Sequence, residues 1–351
     1  MKIVSIVGAR PQFVKLAPLS NKIKYNHDEI IIHTGQHYDK SMSKIFFNEL
    51  GISEPNYNLD VNQGDHGNQT GRMIIDLEIV IMKEKPDLII IFGDTNSTLA
   101  GAIVGSKLHI PIIHIEAGLR SFNRKMPEEI NRVIADHSSD YLFAPTQIAM
   151  DNLQSENLAS KSYLTGDIMV ESLKYIKQQI TDTQILEQYN LSENNFYLLT
   201  LHRPYNVDDP QNLSKIFQEI GKLSKLVVFP VHPRTKKIIE QNNIKLAQNI
   251  TLTNPLGYID FVQLQLNSCK VITDSGGIQK EAYMLKKPCI TLRSETEWVE
   301  TVDSGWNRLF NLQDECNLAE TIELFTPQLP YKNLFGKNIL ENMNSIIDSI
   351  G

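Results

Sequence analysis

Short apolar, β-branched runs recur along the chain, each closed by a polar or glycine-bearing turn and followed by helical spacing. In the first half they are residues 3–7, 30–33, 88–92, 112–115 and 141–143. In the second half they are 197–201, 226–229, 250–252, 271–273 and 289–292. Runs this short and this continuously apolar predict parallel strands buried on both faces, with the intervening helices as crossovers. Two successive sets predict an α/β fold of two Rossmann-like, doubly wound domains, 1–167 and 168–351, divided just after Gly166-Asp167. The second begins with a polar, helix-like stretch, 171–195. Ile339, Met343, Ile346 and Ile347 predict a terminal helix over 338–350, packing back on the first domain. Two such lobes are expected to face a cleft, the default place for a ligand.

Composition narrows the ligand. The 351 residues carry 41 acidic and 34 basic side chains, a net charge of −7, which argues against a broad nucleic-acid surface. A small anion remains compatible, because a local cluster of arginines outweighs global charge at short range. Cys269, Cys289 and Cys316 lie far apart, in neither a disulfide framework nor a zinc pattern. No cationic region precedes a long apolar segment, and no apolar run approaches the roughly 20 residues that span a bilayer. The expectation is a soluble, cytoplasmic protein with no membrane or nucleic-acid partner.

In open parallel sheets, ligand groups collect just beyond the carboxyl ends of strands. The first run ends in Gly8-Ala9-Arg10-Pro11-Gln12-Phe13-Val14-Lys15, where Arg10 and Lys15 beside a helix start suit a phosphate, or are solvated surface charges. The third ends in Gly93-Asp94, and Asp94 also reads as a helix cap. The fourth ends in His114-Ile115-Glu116, a carboxylate placed to be buried or to face the cleft. Glu128 and Glu129 open a later helix; for Glu129 favourable dipole placement is the preferred reading. Asp94, Glu116 and Glu128 together are expected to line one wall.

In the second half His202 follows its run directly, the best candidate for proton transfer or phosphate contact. A structural histidine at a strand end is the alternative. His232 has similar placement and weaker support, and His37 is undecided. Thr273-Asp274-Ser275-Gly276-Gly277 followed by a helix predicts an anion cradle, with Glu281 one turn on placed for ribose hydroxyls. It is neither a dinucleotide fingerprint nor a lysine-bearing phosphate loop. A diphosphate beside a ribose points to a nucleotide sugar.

These motifs resemble the nonhydrolysing UDP-N-acetylglucosamine 2-epimerases. GARPQFVKLAP, GDTNST, HIEAGLRS, MPEEINR, GDIMVE, TLHRPYNVDD, PVHP, DSGGIQKEA and TEWVE run in the family's order from residue 8 to 300. The resemblance implies the two-lobed GT-B fold and epimerisation at C2 of a UDP-2-acetamido sugar, by elimination and re-addition of UDP through a 2-acetamidoglycal. By motif match, Asp94, Glu116, Glu128 and His202 fall at catalytic positions. Arg10, Lys15, Phe261, Ser275, Gly276, Gly277 and Glu281 fall at UDP-sugar-binding positions. No cofactor or metal is implied, and a homodimer is.

Three departures bear on the substrate. Lys280 stands where the GlcNAc enzymes have an acid, Trp298 where they have an arginine, and Pro204-Tyr205 follows His202-Arg203. These resemble the subgroup that epimerises UDP-2,3-diacetamido-2,3-dideoxy-D-glucuronate for bacterial surface polysaccharides. Lys280 in place of an acid favours a sugar with its own carboxylate, and Lys280 with Trp298 is expected to set selectivity. The alternatives are a UDP-N-acetylglucosamine 2-epimerase giving UDP-N-acetylmannosamine and a GT-B glycosyltransferase.

Overall fold

The computed structural model describes residues 1–36, 47, 49–180, 184–313 and 317–351. They divide into two compact units, Met1–Tyr175 with Leu334–Gly351, and Ile176–Asn333. The expected second domain, 168–351, is thus shorter at both ends. The helix Met169–Gln179 runs through the division, and the last segment belongs to the first unit.

The first unit holds β1 (Lys2–Val7), β2 (Asp28–His33), β3 (Tyr57–Asn58), β4 (Leu88–Phe92), β5 (Ile112–Ile115), β6 (Tyr141–Ala144) and β7 (Ser162–Leu164). They form one parallel sheet in the order β3-β2-β1-β4-β5-β6-β7. The second unit holds β8 (Phe196–Thr200), β9 (Leu226–Pro230), β10 (Ile250–Thr253), β11 (Lys270–Thr273), β12 (Cys289–Thr291) and β13 (Asn307–Leu309). Their order is β10-β9-β8-β11-β12-β13, again all parallel. Both sheets are the doubly wound α/β type expected.

Every apolar run became a strand. The strands that no run foretold, β3, β7 and β13, all lie at sheet edges. An edge strand has one neighbour and less apolar cover, so its side chains need not be hydrophobic, and β7 leaves Leu164 half exposed. The first core packs Val4, Ile6, Ile32, Ile89 and Ile91 against Met73, Leu77 and Ile81 of the helix His66–Glu84. The second packs Leu199, Val227, Phe229 and Ile272 against Leu213, Ile216, Phe217 and Ile220 of the helix Pro210–Ile220.

The terminal helix is Ile339–Ile350, and it lies on the helix Arg10–Ile23 of the first unit, as expected. Ile339, Met343 and Ile347 are buried. The chain returns there by backbone contact: Gly166 and Gly336 both have positive φ, and a Cβ on either would lie 3.3 Å or less from the other's Cα. Asp167 N donates to Phe335 O at 2.9 Å across the same junction. No helix among the described residues is long and apolar enough to cross a membrane.

Candidate active site

Each sheet reverses its winding once, between β1 and β4 in the first unit and between β8 and β11 in the second. Loops leaving neighbouring strands there diverge to opposite faces, which opens a crevice beyond their carboxyl ends. The sequence-expected residues Arg10 and Asp94 follow β1 and β4, and His202 and Ser275 follow β8 and β11. The crevice of the first unit is tied by Gln12, whose Oε1 accepts from Gly8 N and Ala9 N while Nε2 donates to Phe92 O at 2.8 Å. That glutamine bolts the turn after β1 to the end of β4. Its role could be found only from knowing that the two strands are neighbours.

Asp94 does not cap its helix. Thr95 is the N-cap residue, with its hydroxyl accepting from Thr98 N, and this leaves the Asp94 carboxylate to Arg132. Arg132 donates to Asp94 Oδ2 from Nε at 3.0 Å and from Nη2 at 2.7 Å, and its Nη1 reaches Glu129 at 2.8 Å. Glu129 does more than complement a dipole, for it also accepts from Ser121 N and Oγ and from Phe122 N. Burial pushes its carboxyl up, but these donors and Arg132 outweigh that and hold it below its ordinary value. Glu128, the neighbouring acid, is half-buried in the first turn of the helix Pro127–Ser138.

Glu116 lies just past β5 at φ +70°, a left-handed backbone that side chains rarely adopt. Its Oε1 accepts from Lys15 Nζ at 2.6 Å, and both side chains are nearly buried. Lys15, expected at the diphosphate, is therefore engaged by the acid. Arg10 is half-buried as the first residue of its helix.

In the second unit His202 Nδ1 lies 2.7 Å from Asp274 Oδ1. This bond fixes the ring's orientation and leaves its other edge in a half-exposed side chain. The fully buried Asp274 also accepts from His202 N, Arg203 N and Asn206 Nδ2. Sequence reading passed over Asp274 as part of the cradle, and the adjacency of β8 and β11 supplies the missing signal. Burial pushes Asp274 up, and His202 with Asn206 and the backbone donors more than reverses it, leaving it below its ordinary 3.8. A depressed carboxylate contributes stability that is present above the unfolded value and lost as pH falls below it. Asp274→Asn is thus expected to flatten the loss of thermal stability below about pH 4. Melting temperatures at pH 5 and pH 3 check it, and parallel curves for parent and variant refute it.

The helix Gly276–Met284 opens at Ser275. A Cβ on Gly276 would stand 2.0 Å from Glu297 Oε1, whereas one on Gly277 would meet nothing within 4 Å. Gly276 is thus packed by the protein's own carboxylate, which is held by Arg293 at 3.0 Å, and Gly277 is exposed. Buried Glu281 accepts from Tyr258 Oη at 3.2 Å, and Phe261 is half-buried on the helix Tyr258–Asn267. Lys280 is 1% exposed, with Nζ 4.3 Å from the ring centroid of Trp298, itself 2% exposed. It does not point to solvent, and the two residues form one buried cation–π unit. His232 caps the helix Pro233–Gln241 by accepting from Arg234 N, a structural role, and His37 lies outside the described residues. Among the described residues no cluster of His, Cys, Asp or Glu is arranged to hold a metal.

A family model for UDP-N-acetylglucosamine 2-epimerases matches residues 21–340. A UDP-N-acetylglucosamine 2-epimerase homolog of Methanococcus maripaludis is 52% identical, over 93% of each chain. The UDP-2,3-diacetamido-2,3-dideoxy-D-glucuronate 2-epimerase of Pseudomonas aeruginosa is 49% identical, over 88% of each. The crystal structure of Methanocaldococcus jannaschii UDP-GlcNAc 2-epimerase in complex with UDP-GlcNAc and UDP superposes with a TM-score of 0.91, at 42% identity and full coverage of both chains.

Proposed function

The chain belongs to the UDP-N-acetylglucosamine 2-epimerase family and is a UDP-sugar 2-epimerase; from that premise we propose that its substrate is UDP-2,3-diacetamido-2,3-dideoxy-D-glucuronate. In the proposed reaction the C2 proton leaves and the C1–O bond to UDP breaks, giving a 2-acetamidoglycal. UDP then adds back while a proton returns to the opposite face. Inversion at C2 needs donors and acceptors on two faces, which the set Asp94, Glu116 and Glu128 can supply. Bond cleavage builds negative charge on UDP, and Arg10, His202 and the N–H group at Gly277 suit it. Glu281 and Phe261 are assigned to the nucleoside.

The observation that carries the substrate choice is the buried Lys280–Trp298 unit, one residue from Glu281. With its ammonium under the indole ring, Lys280 acts through its field rather than by contact. At roughly 10 Å and an effective dielectric constant of about 20, one unit charge is worth about 1.7 kcal/mol to a sugar carboxylate, nearly twentyfold. The Pseudomonas relative, named for that uronate, lends support. The second reading, UDP-GlcNAc, is favoured by the Methanocaldococcus complex.

Two measurements test this. In deuterated water without an acceptor, a 2-epimerase exchanges the C2 proton of its UDP-sugar, and a glycosyltransferase does not. The kcat/KM ratio of uronate to UDP-GlcNAc is then expected to fall at least about tenfold in Lys280→Met and further in Lys280→Glu. Because the pair is in contact, adding Trp298→Arg to Lys280→Glu is expected to be non-additive. A parent that prefers UDP-GlcNAc, with a ratio unmoved by any of these changes, would refute the uronate assignment.

A further inference from the structure

Asp136 is wholly buried in the last turns of the helix Pro127–Ser138, the helix whose first turn carries Glu128. Its Oδ1 lies 2.6 Å from His114 Nδ1, and its Oδ2 accepts from Arg120 Nη1 at 2.7 Å and Gly118 N at 3.1 Å. His114 stands two residues before Glu116, and Gly118 stands two after it. One carboxylate therefore grips both flanks of the left-handed turn that presents Glu116. The other ring nitrogen of His114, Nε2, lies 2.7 Å from Gly93 O, the carbonyl that immediately precedes Asp94. Each imidazole nitrogen faces an acceptor, so the ring spans the gap between the Glu116 turn and the Asp94 turn. Arg120 is held in place in turn by Glu156, at 2.7 and 2.8 Å.

A turn with φ of +70° at a glutamate persists only where its surroundings over-determine it. Here those surroundings converge on one buried group. We propose that Asp136 is a positioning residue for the reaction, setting the Glu116 and Asp94 turns at the spacing that proton transfer at C2 requires. This rests on the assignment of those acids to catalysis. Asp136 touches no reacting atom; it acts through the backbone that carries them.

Asp136→Asn preserves shape but turns one acceptor into a donor facing Arg120 or His114. It is expected to lower kcat at least about 30-fold, while UDP affinity, measured by calorimetry, stays within about twofold. Lost folded protein scales every rate equally, so the deciding readout is a ratio: deuterium entering recovered substrate against epimer formed in deuterated water. Displaced acids alter the two proton transfers unequally, and the ratio is expected to shift at least about threefold. Leu77→Ala, a buried change elsewhere in the first unit, serves as the stability control and is expected to leave the ratio unchanged. If Asp136→Asn does not fold, His114→Gln, whose amide can donate to only one of the two acceptors while keeping Asp136 in place, takes the same test. An unchanged ratio in the folded variant overturns the proposal. Should Glu116→Gln itself prove fully active, the catalytic assignment fails instead.

Discussion

Glu116→Gln is expected to lower turnover at least about 100-fold, the usual scale for a group that moves a proton in the rate-determining step. The substitution keeps the side chain's shape and its place beyond β5 but removes the capacity to take a proton. It also leaves Lys15 Nζ, 2.6 Å away and nearly buried, without its charge partner. Breaking such a pair costs about 3–5 kcal/mol when burial is complete, so some loss of melting temperature is expected as well. Lys15→Met separates the two effects. It breaks the same pair and leaves the carboxylate, so its thermal stability is expected to fall comparably while turnover falls far less. Asp94→Asn, Glu128→Gln and His202→Ala are expected to show losses of similar scale, measured as kcat on soluble protein. Near-normal turnover in both the Glu116 and His202 variants would remove the catalytic assignment.

The two cradle glycines are expected to fail in opposite ways. In Gly276→Ala the new methyl group would meet Glu297 at 2.0 Å, and the shift this forces on the buried carboxylate strains its pair with Arg293. Breaking a buried ion pair outright costs about 3 kcal/mol, the upper scale of this strain, so Gly276→Ala is expected to melt below the parent. Gly277→Ala meets nothing, and inside a helix alanine gains about 0.5–1 kcal/mol over glycine. Its stability is expected to hold or rise, whereas its UDP affinity is expected to fall about tenfold or more, since the methyl group blocks the approach of the diphosphate to the helix N–H groups. Thermal melts and UDP titration of both variants decide the matter. Unaltered UDP binding in a stable Gly277→Ala protein would take the diphosphate away from this helix.

What could be read from the chain, and what could not, divides along a physical line. Buried parallel strands advertise themselves, because both faces must be apolar, and the acids Asp94 and Glu116 stood out by ending such runs. The edge strands β3, β7 and β13 carried no such mark. The partners were hidden for another reason. Gln12 with Phe92, His114 with Gly93 and His202 with Asp274 are separated by 80, 21 and 72 residues, and only strand order makes them neighbours. For Lys280 the charge was legible and its setting was not: it lies four residues from Gly276 on the buried face of its helix, where an indole ring takes the place of water.

The return of Leu334–Gly351 to the first unit has a consequence for how the cell makes this protein. A ribosome delivers the chain from its amino end, so all of Ile176–Asn333 has emerged before the first unit receives Ile339, Met343 and Ile347. The unit begun first is finished last. Until then the helix that starts at Arg10 lacks its terminal cover, and a nascent or prematurely terminated chain displays that apolar face to chaperones and proteases. The first unit's own core is thus closed only after the chain of the second unit has been made.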